Sequence, residues 1–130
     1  MPTIDEDLWP ADLGNIKTVS PLAILRRQAS TIQERTRNVL SGDVVTKTVG
    51  RRLYHTLYIS APSLDDYRYK VLSIRHESVL YPLCLSSDDA NIFDQEIKSE
   101  GEFLETLKVV FSAEKIRKVI ESLIVQSQSA

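Results

Sequence analysis

The side chains able to do chemistry in this sequence are few. They are two histidines (His55 and His76), one cysteine (Cys84), the carboxylate pairs Asp65-Asp66 and Asp88-Asp89, and a run of tyrosines and arginines between Arg51 and Arg75. Intrinsic metal sites use ligands at paired spacings such as C-x-x-C or H-x-x-x-H, and neither spacing occurs. The two histidines fall on successive alternating segments, Arg51 to Ser60 and Tyr67 to His76. With Ser60 opposite Tyr67, His55 faces Leu72 and His76 faces Arg51, which holds the rings about 13 Å apart along the strands. That register predicts no shared ion, and no cofactor is expected.

Cys84 lies between Leu83 and Leu85, where a free thiol reads as a small inert hydrophobe. A reactive thiol would need His55 or His76 as its base. No G-x-S-x-G elbow, G-x-x-x-x-G-K-[ST] loop or G-x-G-x-x-G turn is present. Both aspartate pairs sit in turn-forming surroundings, where Asp is favoured for geometry alone. These absences argue against an enzyme and leave Cys84 with a histidine as the catalytic alternative.

The tyrosines and arginines suggest binding instead. Arg52, Tyr54 and Tyr58 share one face of the first alternating segment, and Tyr67, Tyr69 and Arg75 share one face of the next. Tyr and Arg are enriched at the energetic centres of protein interfaces. They can also stack bases and neutralise phosphates. The pI of about 5.7 and the lack of an RNA-recognition signature weigh against nucleic acid. The favoured reading is a non-catalytic accessory or interaction protein, with a protein partner or a homodimer, contacting it through Arg52, Tyr54, Tyr58, Tyr67, Tyr69 and Arg75. The alternative is nucleic-acid binding through the basic segment 26–75, using Arg26, Arg27, Arg35, Arg37 and Arg51.

Composition sets the frame for these residues. The chain has 130 residues, 42% hydrophobic and 26% charged, the values of one globular domain with a single core. No apolar run is long enough to span a membrane. No basic segment followed by an apolar run opens the sequence, and one cysteine cannot form an internal disulfide. A cytoplasmic location is the expectation. The net charge of −2 conceals a basic middle: residues 1–19 sum to −3, residues 20–80 to +5, and residues 81–130 to −4.

The elements follow from periodicity. Residues 1–19 form an arm broken by Trp9-Pro10 and Leu13-Gly14, with Trp9 expected to dock on the domain. Ser20-Pro21 starts a helix, and an apolar stripe through Leu22, Leu25, Ala29, Ile32, Thr36 and Val39 carries it to about residue 41, where Gly42 is expected to stop it. From Asp43 to Ser86 the period is two, predicting about four antiparallel strands; Val79 to Leu85 is the most apolar and is placed centrally despite Pro82. Residues 91–98 fit a fifth strand or a short helix, with strand preferred. Ser99 and Glu102 have capping-box spacing before a helical stripe, and Ser112 can cap a last helix. Residues 127–130 read as a frayed tail, so the domain proper is 20–126. Segregated strands and helices define an α+β fold: a meander of four to five antiparallel strands flanked by one long N-terminal helix and two C-terminal helices.

Overall fold

A computed structural model describes residues 6–130 and shows this α+β architecture. A short 3-10 turn, Ala11–Asn15, precedes helix α1 (Pro21–Arg35). Five strands follow, β1 (Ser41–Val49), β2 (Arg52–Ala61), β3 (Tyr67–His76), β4 (Leu83–Ser87) and β5 (Ile92–Ile97), and then helices α2 (Glu100–Ser112) and α3 (Glu114–Gln128). The sheet is a single antiparallel meander in the order β1-β2-β3-β4-β5. Consecutive strands pair because the connections are short, so chain order becomes spatial order.

α1 begins as the sequence indicates. The Ser20 hydroxyl accepts from the Ala23 amide at 3.0 Å, and Pro21 occupies the first turn, where its missing donor costs nothing. It ends earlier than residue 41. The Thr36 hydroxyl donates to the Ile32 carbonyl at 2.8 Å and accepts from the Leu40 amide at 3.1 Å, and Arg37 and Asn38 take left-handed φ of 52° and 67°. These residues end the helix in place of Gly42. Gly42 instead lies in β1, where a Cβ would come within 2.8 Å of the Ala29 Cα and carbonyl oxygen. Its missing side chain lets α1 sit directly on the sheet.

The core is built on one face of the sheet. Leu57, Ile59, Ala61, Val71, Leu72, Ile74, Leu83, Leu85 and Ile97 meet Ile24, Leu25 and Ala29 of α1, Phe103, Leu107 and Val110 of α2, and Ile116 and Leu123 of α3. α2 opens with the anticipated capping box: Ser99 Oγ accepts from the Glu102 amide at 3.2 Å, and the Glu102 carboxylate accepts from the Lys98 amide at 2.7 Å. Ala113 rather than Ser112 stands at the N-cap position of α3 and supplies no capping side chain, while Ser112 ends α2; α3 continues through Gln128 with Ser127 buried in place of a frayed tail. β4 begins only after Pro82, which cannot donate to the ladder; it lies one strand in from the β5 edge and not at the centre. Trp9 does not dock. It is 76% exposed, and the 3-10 turn beyond it buries nothing. Residues 1–5 of the expected arm lie outside the described residues.

Candidate functional site

Among the described residues, α1, α2 and α3 pack on one face of the sheet and leave the other face uncovered. The alternation along β2 decides which side chains it carries: Leu53, His55, Leu57 and Ile59 point to the helices, and Arg52, Tyr54, Thr56 and Tyr58 point away. Cross-strand pairing then fixes the neighbours. Lys47 and Arg75 flank Tyr54, Asp43 and Lys70 flank Tyr58, and Arg68 stands beside Ser60.

The sequence-predicted residues divide between the two faces. Arg52, Tyr54, Tyr58 and Arg75 come together on the uncovered face. Tyr67 and Tyr69 pair with Ala61 and Ile59 and so lie on the helix side, apart from the other four. A β-bulge separates the two groups. Leu57 pairs with Leu72 but Tyr58 pairs with Lys70, leaving Val71 as the extra residue. Val71 and Leu72 are both buried, which strict alternation forbids, and the parity of β3 changes between them. Tyr69 is half-buried, and its hydroxyl donates to Asp89 at 2.5 Å; burial first, then that hydrogen bond and the Asp89 charge, push its phenol above the ordinary tyrosine range. Tyr67 stays 52% exposed beside α3.

The uncovered face is ordered by its own contacts. The Arg68 guanidinium lies 3.9 Å above the Tyr58 ring centroid and reaches Asp43 at 2.6 Å, spanning β3 to β1. Arg75 spans from β3 to Asp94 near the β5 edge, where Asp94 also accepts from the Ser86 hydroxyl at 3.2 Å. These contacts raise the Arg75 guanidinium and hold the Asp94 carboxyl below its usual range. Lys47, Arg52 and Lys70 are exposed and, among the described residues, make no ion pair. The face thus has two half-buried tyrosines near its middle, cations around them and carboxylates toward its edges.

The histidines depart from the expected spacing. The turn holds Pro62–Asp66 and sets Ala61, not Ser60, opposite Tyr67; the bulge at Val71 adds one more residue of slip. Together they place His76 opposite Leu53 and His55 opposite Ile74, so the two rings are diagonal neighbours on the helix side. Their Nε2 atoms are 3.1 Å apart and their centroids 5.1 Å apart. His76 Nδ1 lies 2.6 Å from the Glu77 carbonyl oxygen and 3.1 Å from that of Val79, so this nitrogen carries the proton. His76 Nε2 then accepts from His55 Nε2–H, and His55 Nδ1 accepts from the Thr46 hydroxyl at 2.9 Å. This neutral chain satisfies every ring nitrogen. Burial, then the His76 ring and the Arg26 charge, lower the His55 pKa.

Cys84 is half-buried on the uncovered face, paired with Arg75, while both histidines point to the other face. Cys84 and the edge of His76 do line one cleft of about 220 Å³. However, both nitrogens of His76 are engaged by His55 and by backbone carbonyls, so neither is free to take a thiol proton. Among the described residues no group of three or more His, Cys, Asp or Glu side chains could hold a metal ion. The basic residues of α1 do not join the sheet arginines: Arg26, Arg27 and Arg35 are exposed on a helix that packs on the opposite face, Arg37 lies in the turn after it, and Arg51 lies in the β1–β2 turn.

Among the described residues no helix is long and apolar enough to cross a membrane. No protein-family model, curated protein or solved structure matches this chain.

Proposed function

We propose that this chain is a non-catalytic binding module that contacts a protein partner through the uncovered face of its sheet. The observation that carries this reading is the one-sided packing: three helices cover one face, and Arg52, Tyr54, Tyr58 and Arg75 gather on the other. Rigid strands hold these side chains, and the Arg68–Tyr58 and Arg75–Asp94 contacts restrict two of the long ones before any partner arrives. Such pre-ordering lowers the entropy lost on binding. The mixed signs on the face suit a protein surface better than a polyanion. A single half-buried cysteine and the absence of a spanning helix among the described residues accord with a cytoplasmic setting.

The test uses purified wild-type chain and an Arg52→Glu/Tyr54→Ser variant as baits. A partner held by the wild type should re-form the complex when both are purified, and the variant should weaken it at least about 30-fold, the effect of losing one interface hot spot. Equal binding by both baits refutes the reading. A salt-dependent gel shift with nucleic acid, removed by charge reversal at Arg26, Arg27, Arg35, Arg37 and Arg51, would establish the alternative.

A further inference from the structure

Away from the uncovered sheet face, a groove of about 490 Å³ runs between α3 and the turn joining β2 to β3. Its apolar floor is formed by Leu64, Val119 and Leu123, with the exposed ring of Tyr67 along one side, and Lys115 and Lys118 stand at its rim. Lys118 meets Glu114 at 3.2 Å in an exposed pair of little energetic worth, and Lys115 makes no ion pair among the described residues. The groove therefore offers apolar surface under a cationic edge.

The same chain displays the complementary surface. In the arm, Leu8, Trp9, Leu13 and Ile16 are 83%, 76%, 52% and 66% exposed. Residues 6–19 set three carboxylates, Glu6, Asp7 and Asp12, against one lysine. Exposed apolar side chains this close together mark an interaction segment. An acidic segment centred on a Trp matches a lysine-rimmed apolar groove in charge and in kind. Among the described residues of a single chain, both the arm and the groove are left uncovered.

We infer that the arm of one copy docks in this groove of a second copy, with Trp9 on the apolar floor and its flanking carboxylates against Lys115 and Lys118. Each arm–groove contact joins two different surfaces, and a two-fold pair makes it twice, so the dimer interface as a whole is isologous. Two copies can exchange arms to close it. This inference is independent of the sheet-face reading, since no residue of the groove lies on that face.

Trp9 is the only tryptophan, so its emission reports the contact directly. Emission spectra and sedimentation velocity are recorded over concentrations from on the order of 1 μM to 1 mM, the range of weak association. The expected result is a blue shift that grows in step with dimer formation and weakens with salt. Trp9→Ala should abolish the dimer, and Lys115→Glu/Lys118→Glu should weaken it at least about tenfold, equivalent to 1.4 kcal/mol. Adding Asp7→Lys/Asp12→Lys to the groove variant should restore it. Circular dichroism of each variant checks folding, and the exposed arm substitution is free of that concern. A monomer with solvent-like emission at every concentration overturns the inference. So does a blue shift independent of concentration, which would mean the arm docks on its own copy, or a dimer that survives both sets of substitutions.

Discussion

The buried histidine pair makes the stability of this fold depend on pH in a defined window. His55 and His76 are 3% and 7% exposed, and their hydrogen bonds fix one neutral tautomer for each. A proton on His76 would place hydrogens on both facing Nε2 atoms. A proton on His55 can still be directed at the Thr46 oxygen, but the charge is buried with Arg26 nearby on α1 and no carboxylate bonded to either ring. Burial, the His76 ring and Arg26 all lower the His55 pKa. As pH falls through about 6.5, the unfolded chain takes up a proton that the folded chain refuses. The unfolded state binds more protons in this window, so stability falls with pH until His55 itself protonates in the folded chain.

Each unit by which folding lowers the pKa removes about 1.4 kcal/mol. For a domain of this size that lowers the melting temperature by roughly 4–7 °C. The assay is thermal unfolding followed by circular dichroism at pH 8, 6.5 and 5, with urea midpoints at the same values. The Asp94 carboxyl, also held low by Arg75, contributes its loss only below its ordinary value of 3.8, outside this range. His55→Leu should be less stable at pH 8 by about 1–3 kcal/mol, because the Thr46 hydroxyl and His76 Nε2 lose their partner. It should also lose much of the slope between pH 6.5 and 5. A wild-type melting temperature that is flat or rises over this window, or a variant that keeps the full slope, refutes the buried neutral pair.

Further expectations follow from single contacts. Gly42→Ala should cost about 1–3 kcal/mol in urea unfolding, because its Cβ would meet the Ala29 backbone at 2.8 Å; Gly50→Ala should cost only about 1–2 kcal/mol from its φ of +61°, since nothing lies within 4 Å there. Thr36→Val should lose about 1–3 kcal/mol by leaving the Leu40 amide without its acceptor, measured the same way. Spectrophotometric titration should show Tyr69 ionising above the ordinary tyrosine range, and Asp89→Asn should bring it lower, because removing the carboxylate removes its charge and weakens the hydrogen bond, both of which raise it.

The sequence carried the elements more clearly than their register, for a physical reason. Periods of two and of 3.6 are written in successive side chains, so the β2 alternation and the Ser99–Glu102 capping box were legible from local residues alone, whereas the residues of β5 fitted a strand or a short helix and only leaned to the strand observed. Where α1 ends depended on a competition that periodicity does not show: the Thr36 hydroxyl, with Arg37 and Asn38 in left-handed conformations, stops the helix before the stripe runs out. Gly42 looked like a helix stop because glycine suits that role, whereas its use here is close packing against Ala29, a contact between residues distant in sequence. The site was harder still, since it depends on cross-strand neighbours. A one-residue difference at the Pro62–Asp66 turn and one bulge at Val71 were enough to move Tyr67 and Tyr69 to the helix side and to bring two histidines from a predicted 13 Å, about four residues of strand, to 3.1 Å. One signal did mark the bulge: Val71 and Leu72 are consecutive apolar residues in a strand that otherwise alternates, and burying both requires a parity change. Applied to β3, that constraint keeps Arg75 beside Tyr54 on the uncovered face while turning His76 inward. The same bulge thus sets both the open face and the acid-sensitive pair behind it.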